Sequence, residues 1–331
     1  MEAMEDEMSS SCAFAEELYD LYHVQAVQWT CIALSVASLV LIGYTARHYL
    51  RKTIFENITE ELIIALYVAI AIYSVFLIIS QLSQLFYRYT ASTKCDAQVP
   101  KFWCIFRFSI TVIVCSFIVL HIGITFQHLL SSFRFGTRTQ QAAARISIVI
   151  SFIYPTAVGT IAYGHESLEG RTAYCPGMTT SSAMVLRASL YFNFALHILN
   201  ILASVLLLKY NHHRLRTEQT YDLTLSFHRR QNLYAMQQFL PISTIFAFTF
   251  IIFFVSVCFN EVLMSIMSPS WFIFTSVVAN VIPYYCLLCP LLFLLLIRRG
   301  RFKRVAHVKR LVHRERDPND IYFAALRDQW K

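Results

Sequence analysis

Residues 103–130 read WCIFRFSITVIVCSFIVLHIGITFQHLL. The stretch carries one formal charge, Arg107, and is otherwise dominated by Ile, Val, Leu and Phe. It is long enough to cross the ~30 Å hydrocarbon core of a bilayer as a helix, which takes ~20 residues. In hydrocarbon the backbone must satisfy its own hydrogen bonds, and the run is too long for a barrel strand, so a helix is expected. Six more runs of the same kind occupy 26–46, 62–86, 145–163, 185–208, 239–260 and 270–297. Together they predict an all-α, seven-transmembrane helix bundle over 26–297, with the two chain ends on opposite sides of the membrane.

Composition agrees. The chain is 56% hydrophobic and 15% charged, with 27 Phe and 18 Tyr, which lies outside the range of a soluble domain. Lys and Arg give the orientation. With residue 1 outside, the cytoplasmic pieces hold 22 of the 28, eleven of them in a basic tail at 298–331. The outer side keeps six: Arg88, Lys94, Lys101, Arg107, Arg171 and Arg187. The first 25 residues have seven acids and no Lys or Arg. Positive charge stays on the cytoplasmic side, so residues 1–25 are expected to be an extracellular amino terminus. That segment is acidic and its first apolar run is too long for a signal h-region, so segment 1 is expected to act as its own insertion signal. The triplet Asn57-Ile58-Thr59 then falls inside the cell and reads as a chance glycosylation match.

Several function classes lose support. Eight Gly and eight Pro, with no internal repeat, give little sign of the broken helices of secondary transporters. The segments contain no Asp, and Glu61 and Glu261 stand only at segment ends, which leaves nothing for paired-carboxylate chemistry. No two of the 11 His stand three or four apart on a helix as a metal site requires, and no nucleophile elbow or phosphate-binding glycine loop occurs. An enzyme is not expected, nor a cofactor, a metal or a nucleic-acid partner. Past segment 7, Arg298–Arg304 opens a stretch with Phe302, Val305, Val308 and Val312 at helical spacing. This is the pattern of a short cytoplasmic amphipathic helix on anionic membrane lipid.

Cys31, Cys115, Cys258, Cys286 and Cys289 fall inside segments, where a thiol behaves as a small apolar group. Cys12, Cys95, Cys104 and Cys175 lie in or beside the oxidising outer space and allow three pairings. A Cys104–Cys175 disulfide would hold the longest outer loop over the mouth of the bundle. Cys95 is the alternative partner of Cys175.

Ile54-Phe55-Glu56-Asn57 before segment 2 and Leu225-Ser226-Phe227-His228-Arg229-Arg230-Gln231-Asn232 leading to Pro241 carry a resemblance. The chain resembles the nematode serpentine chemoreceptors of the class a, class a/b and class b group, which are G-protein-coupled receptors. The resemblance covers the whole layout. It implies a multi-pass plasma-membrane receptor for a small molecule, coupled to a heterotrimeric G protein. Where that group tends to have Glu-Arg near the inner end of segment 3, this chain has Gln127-His128-Leu129. Segment 6 lacks a Trp-x-Pro, and segment 7 has Asn280-Val281-Ile282-Pro283-Tyr284 in place of Asn-Pro-x-x-Tyr. The competing reading is a seven-helix ligand-gated cation channel of the insect odorant receptor type, with inverted topology.

Polar side chains in a bilayer usually face the bundle interior, so the polar faces indicate a ligand site. Segment 5 places Asn193, His197, Asn200 and Ser204 on one face, segment 3 places Arg107, Thr111 and Cys115, and segment 7 places Ser276, Asn280 and Tyr284. The expected pocket uses Arg107, Thr111, Cys115, Asn193 and His197, with aromatic walls from Tyr191, Phe259 and Trp271. The deeper Asn200, Ser204 and Tyr284 are expected to make interhelical hydrogen bonds of about 0.6 kcal/mol each. For Arg107, snorkelling to outer headgroups and binding an acidic ligand both remain open. At the inner face, His128, Arg134, Arg229, Arg230, Arg298 and Arg299 are the expected G-protein contacts.

Overall fold

The computed structural model describes Glu16 and residues 21–48, 57–133, 135–175, 177, 179, 181–217, 223–263 and 269–316. Arg134 and Cys12 lie outside the described residues. Among the described residues eight α-helices follow one another: α1 (Tyr22–His48), α2 (Asn57–Thr90), α3 (Cys104–Ser132), α4 (Thr137–Tyr163), α5 (Ala183–Thr217), α6 (Leu223–Leu263), α7 (Pro269–Val278) and α8 (Ile282–Arg316). They supply seven spans long and apolar enough to cross a membrane. Six of the seven spans are longer than their apolar runs, because polar flanks continue the helix past the run. Arg47 and His48 close α1, and Arg214 and Arg216 close α5. There cations meet the negative ends of the helix dipoles.

The spans close into a ring. α1 packs on α2 and α8, α2 on α3, α4 on α3 and α5, α5 on α6, and α6 on α8, while α3 also reaches α5 and α6. α3 is the central mast, with 72% of its apolar window buried against 22–28% for α1, α4 and α5. α3 and α4 approach closely at Gly123. A Cβ on Gly123 of α3 would lie 2.7 Å from Ser147 Cβ. The core between the helices is aromatic, and Tyr73, Phe117, Phe246 and Tyr285 are fully buried there.

The seventh span is not one helix. α7 stops at Val278 and α8 starts at Ile282, with Asn280 N–H donating to Val277 O and Tyr284 N–H to Val281 O around the break. Pro283 explains it. It has no N–H to continue the α7 ladder, and it is tolerated in the first turn of α8, where that N–H would have no partner. Beyond the span, the basic run that opens the tail continues α8 as one helix to Arg316. α6 likewise begins four turns before its apolar run, so the approach holding Arg229, Arg230 and Asn232 is helical.

Candidate ligand site and the opposite polar lock

At one end of the bundle a loop is folded over the mouth. Cys104, the first residue of α3, is bonded to Cys175 with Cα atoms 5.1 Å apart. Strands β1 (Val99–Pro100) and β2 (Arg171–Thr172) pair antiparallel, with Val99 opposite Thr172. Lys101 N–H donates to Gly170 O, and Gly170 holds a φ of +87° that favours glycine. Tyr174 is buried against Val24, Ile273 and Val277, so the loop touches α1 and α7. Gly177 O accepts from Tyr163 OH at 2.5 Å and from Thr111 Oγ1 at 3.3 Å. Glu166 accepts from Ser181 and Thr179 hydroxyls, and those bonds hold its carboxyl below the usual carboxylate range. That contribution to loop stability is present above the ordinary carboxylate pKa and is lost as pH falls through the lowered value.

Below the loop, the segment-5 polar face does turn inward, with Asn193, His197, Asn200 and Ser204 all buried. Asn193 is committed to protein partners. Its amide donates to Cys115 Sγ and Ser189 Oγ, both at 3.2 Å, and its Oδ1 accepts from Tyr154 OH at 3.1 Å. This ties α3, α4 and α5 together. Ser204 meets Thr125 of α3 at 3.0 Å. His197 differs, because among the described residues neither ring nitrogen has a hydrogen-bond partner although the side chain is 1% exposed. It stands edge-on to Phe246 at 4.8 Å. His121 of α3 is stacked on that ring at 4.7 Å and lies 6.5 Å from His197, with Nε2 2.8 Å from Tyr285 OH of α8 and Nδ1 without a hydrogen-bond partner among the described residues. Arg107 is 9% exposed and lies just under Gly177. It does not reach the lipid-facing surface.

The expected aromatic walls lie elsewhere. Tyr191, Phe259 and Trp271 are 54%, 60% and 50% exposed. They face outward because the bundle fills its interior with Phe117, Phe246, Phe250 and Tyr285 instead. Tyr284 also points outward, whereas its neighbour Tyr285 is buried. A cleft of about 240 Å³ opens between α3 and α5, lined by Ile122, Phe126, Leu199 and Asn200 among others.

The opposite end is basic and is closed by a polar network. His128 Nδ1 pairs with Asn232 Oδ1 of α6 at 2.9 Å. Asn232 and Asn211 of α5 both donate to Ser132 Oγ, at 3.0 and 2.7 Å, and Arg214 donates to Ser132 O at 2.9 Å. Gln127 faces the other way, accepting from Thr59 of α2 at 2.8 Å. His128 is therefore a buried member of this lock, while Arg230, Arg298 and Arg299 are exposed on the same end and Arg229 is half-buried. Asn232 was legible in the sequence only as part of the approach to segment 6. His121 and His128, seven residues apart, share a face of α3, and that spacing was the available sign of them.

The family model described as "Serpentine type 7TM GPCR chemoreceptor Sra" matches residues 7–330. The chain belongs to that family. No curated protein matches it. The seven-helix serpentine layout and the disulfide are thus those of a chemoreceptor, a multi-pass protein of the plasma membrane. In this serpentine chemoreceptor, Gln127 and His128 are hydrogen-bonding residues that join α3 to α2 and α6.

Proposed function

We propose that the receptor has its amino terminus outside, detects a small extracellular molecule between the disulfide-tied loop and the His121–His197 layer, and activates a heterotrimeric G protein at its basic end. Arg107, Thr111, Cys115, Asn193 and His197 form the route from loop to layer, and Arg229, Arg230, Arg298 and Arg299 border the G-protein surface. The observation that carries this reading is the network of His128, Ser132, Asn211 and Asn232 joining α3, α5 and α6. A hydrogen-bonded junction of this kind holds packed helices in one of two discrete arrangements. Ligand binding above moves α6 and opens the junction below.

Loss of one such bond changes an equilibrium by about 0.5–1.5 kcal/mol, or roughly 2- to 12-fold. Asn232→Leu is therefore expected to raise agonist-independent nucleotide exchange by G protein several-fold at equal surface expression. Parental basal exchange in a well-expressed Asn232→Leu receptor would count against the lock. Orientation has its own check. Tags at the two termini, stained before and after permeabilisation, should report the amino terminus on intact cells. A carboxyl-terminal tag accessible on intact cells would favour the inverted channel topology.

A further inference from the structure

We propose that Arg107 is the anchor for the acid group of the ligand, and that the receptor takes a small monocarboxylic acid with an apolar body. This deepens the ligand-site reading above and rests on it for the end of the bundle at which ligand enters. Arg107 stands three residues after the disulfide cysteine, in the first turn of α3, and is more than nine-tenths buried. Its Nε has no hydrogen-bond partner, and among the described residues no acid is paired with it. Among the described residues, Cys31, Tyr73, Tyr163 and Tyr174, which carry no formal negative charge as thiol and phenols, lie close enough to interact electrostatically with it. The nearby acid in the loop, Glu166, is engaged by Thr179 and Ser181. A buried charge without a counter-charge is strongly disfavoured, so the site lacks one negative charge.

The surroundings narrow the chemistry. A single guanidinium matches one carboxylate, whose two oxygens fit its planar fork, whereas a phosphate dianion would stay under-neutralised. Gly177 lets the loop backbone lie directly over the guanidinium, where a Cβ would come 3.6 Å from Nε. Thr111 and Tyr163 already spend their hydroxyl protons on Gly177 O and backbone acceptors. Tyr73 makes only a long bond of 3.5 Å to Asn280 Oδ1, so its hydroxyl remains able to donate to an anion. Deeper in the bundle Ile110 and Phe117 belong to the packed apolar core, the surround that an apolar remainder would meet.

The test is thermal unfolding of the purified full-length receptor in lipid nanodiscs. The probes are acetate, butyrate, octanoate and benzoate, the methyl esters of the same acids, and sodium chloride at matched concentration. Without probe, Arg107→Met is expected to melt above the parent, because it keeps the stem and removes the uncompensated charge. At least one carboxylate should raise the parent midpoint, with its ester and chloride failing to do so, and should leave Arg107→Met unmoved. A lower midpoint for probe-free Arg107→Met would overturn the proposal and point to a counter-charge from the chain itself, whose first 25 residues hold seven acids. Equal stabilisation by esters or chloride, or no stabilisation by any acid, would overturn it as well. A receptor stabilised by an acid yet silent in nucleotide exchange sinks the coupling proposal and leaves Arg107 in place. One that signals only to neutral compounds does the reverse.

Discussion

Replacing Cys175 by Ser is expected to remove about 4 kcal/mol of stability, the largest single effect accessible in this receptor. The bond closes a loop with a sequence separation of 71, and a cross-link of that span takes about 4 kcal/mol of chain entropy from the unfolded state. The tether also places Tyr174 against α1 and α7 and Gly177 over Arg107, so its loss frees the whole loop. The expected readings are a thermal midpoint lowered by many degrees and a sharp fall in surface expression. Dithiothreitol should lower the parent midpoint in the same direction and leave Cys104→Ser/Cys175→Ser unchanged. A Cys175→Ser receptor that melts with the parent would show that the loop is held by its other contacts alone.

The second large effect is expected at Gly123. A methyl group there would meet Ser147 Cβ at 2.7 Å and Ser147 Oγ at 3.0 Å, with Leu62 Cδ2 at 3.6 Å behind. Ser147 Cβ is attached directly to the α4 backbone and cannot swing away, so the helices must separate. Overpacking of this kind costs about 1–3 kcal/mol, and it would strain the adjoining Ser116 bond to Ser151 O that also joins α3 to α4. Gly123→Ala should therefore lower the midpoint. Adding Ser147→Gly should recover most of the loss, even though Gly inside a helix itself costs about 1 kcal/mol. Strictly additive losses in the double variant would show that this contact does not set the α3–α4 spacing. Small residues that let helix backbones approach closely are the main packing device in membranes, where lipid is as apolar as the core.

The candidate site was partly legible. The period of segment 5 correctly brought Asn193, His197, Asn200 and Ser204 to one buried face, because polar groups are driven out of hydrocarbon whatever their partners. Aromatic residues carry no such signal. Tyr191 and Trp271 sit as comfortably against lipid as Phe246 sits in the core, so sequence spacing did not distinguish wall from surface. The partners of the polar residues were equally hidden. His121 meets Tyr285 across 164 residues and His128 meets Asn232 across 104, and nothing local announces either pair.

The sequence by itself determined seven spans and an uneven division of positive charge between the loops. A bilayer core imposes runs of ~20 apolar residues, and cations are kept on one side of it. Only the tertiary structure decided where the seventh span breaks, that Asn193 is consumed by Cys115, Ser189 and Tyr154, and that Arg107 Nε and both ring nitrogens of His197 are left without a hydrogen-bond partner among the described residues. The physical reason is that lipid and protein core are nearly the same solvent. Membrane insertion is therefore written residue by residue along the chain, while hydrogen-bond partnership depends on which helices stand together.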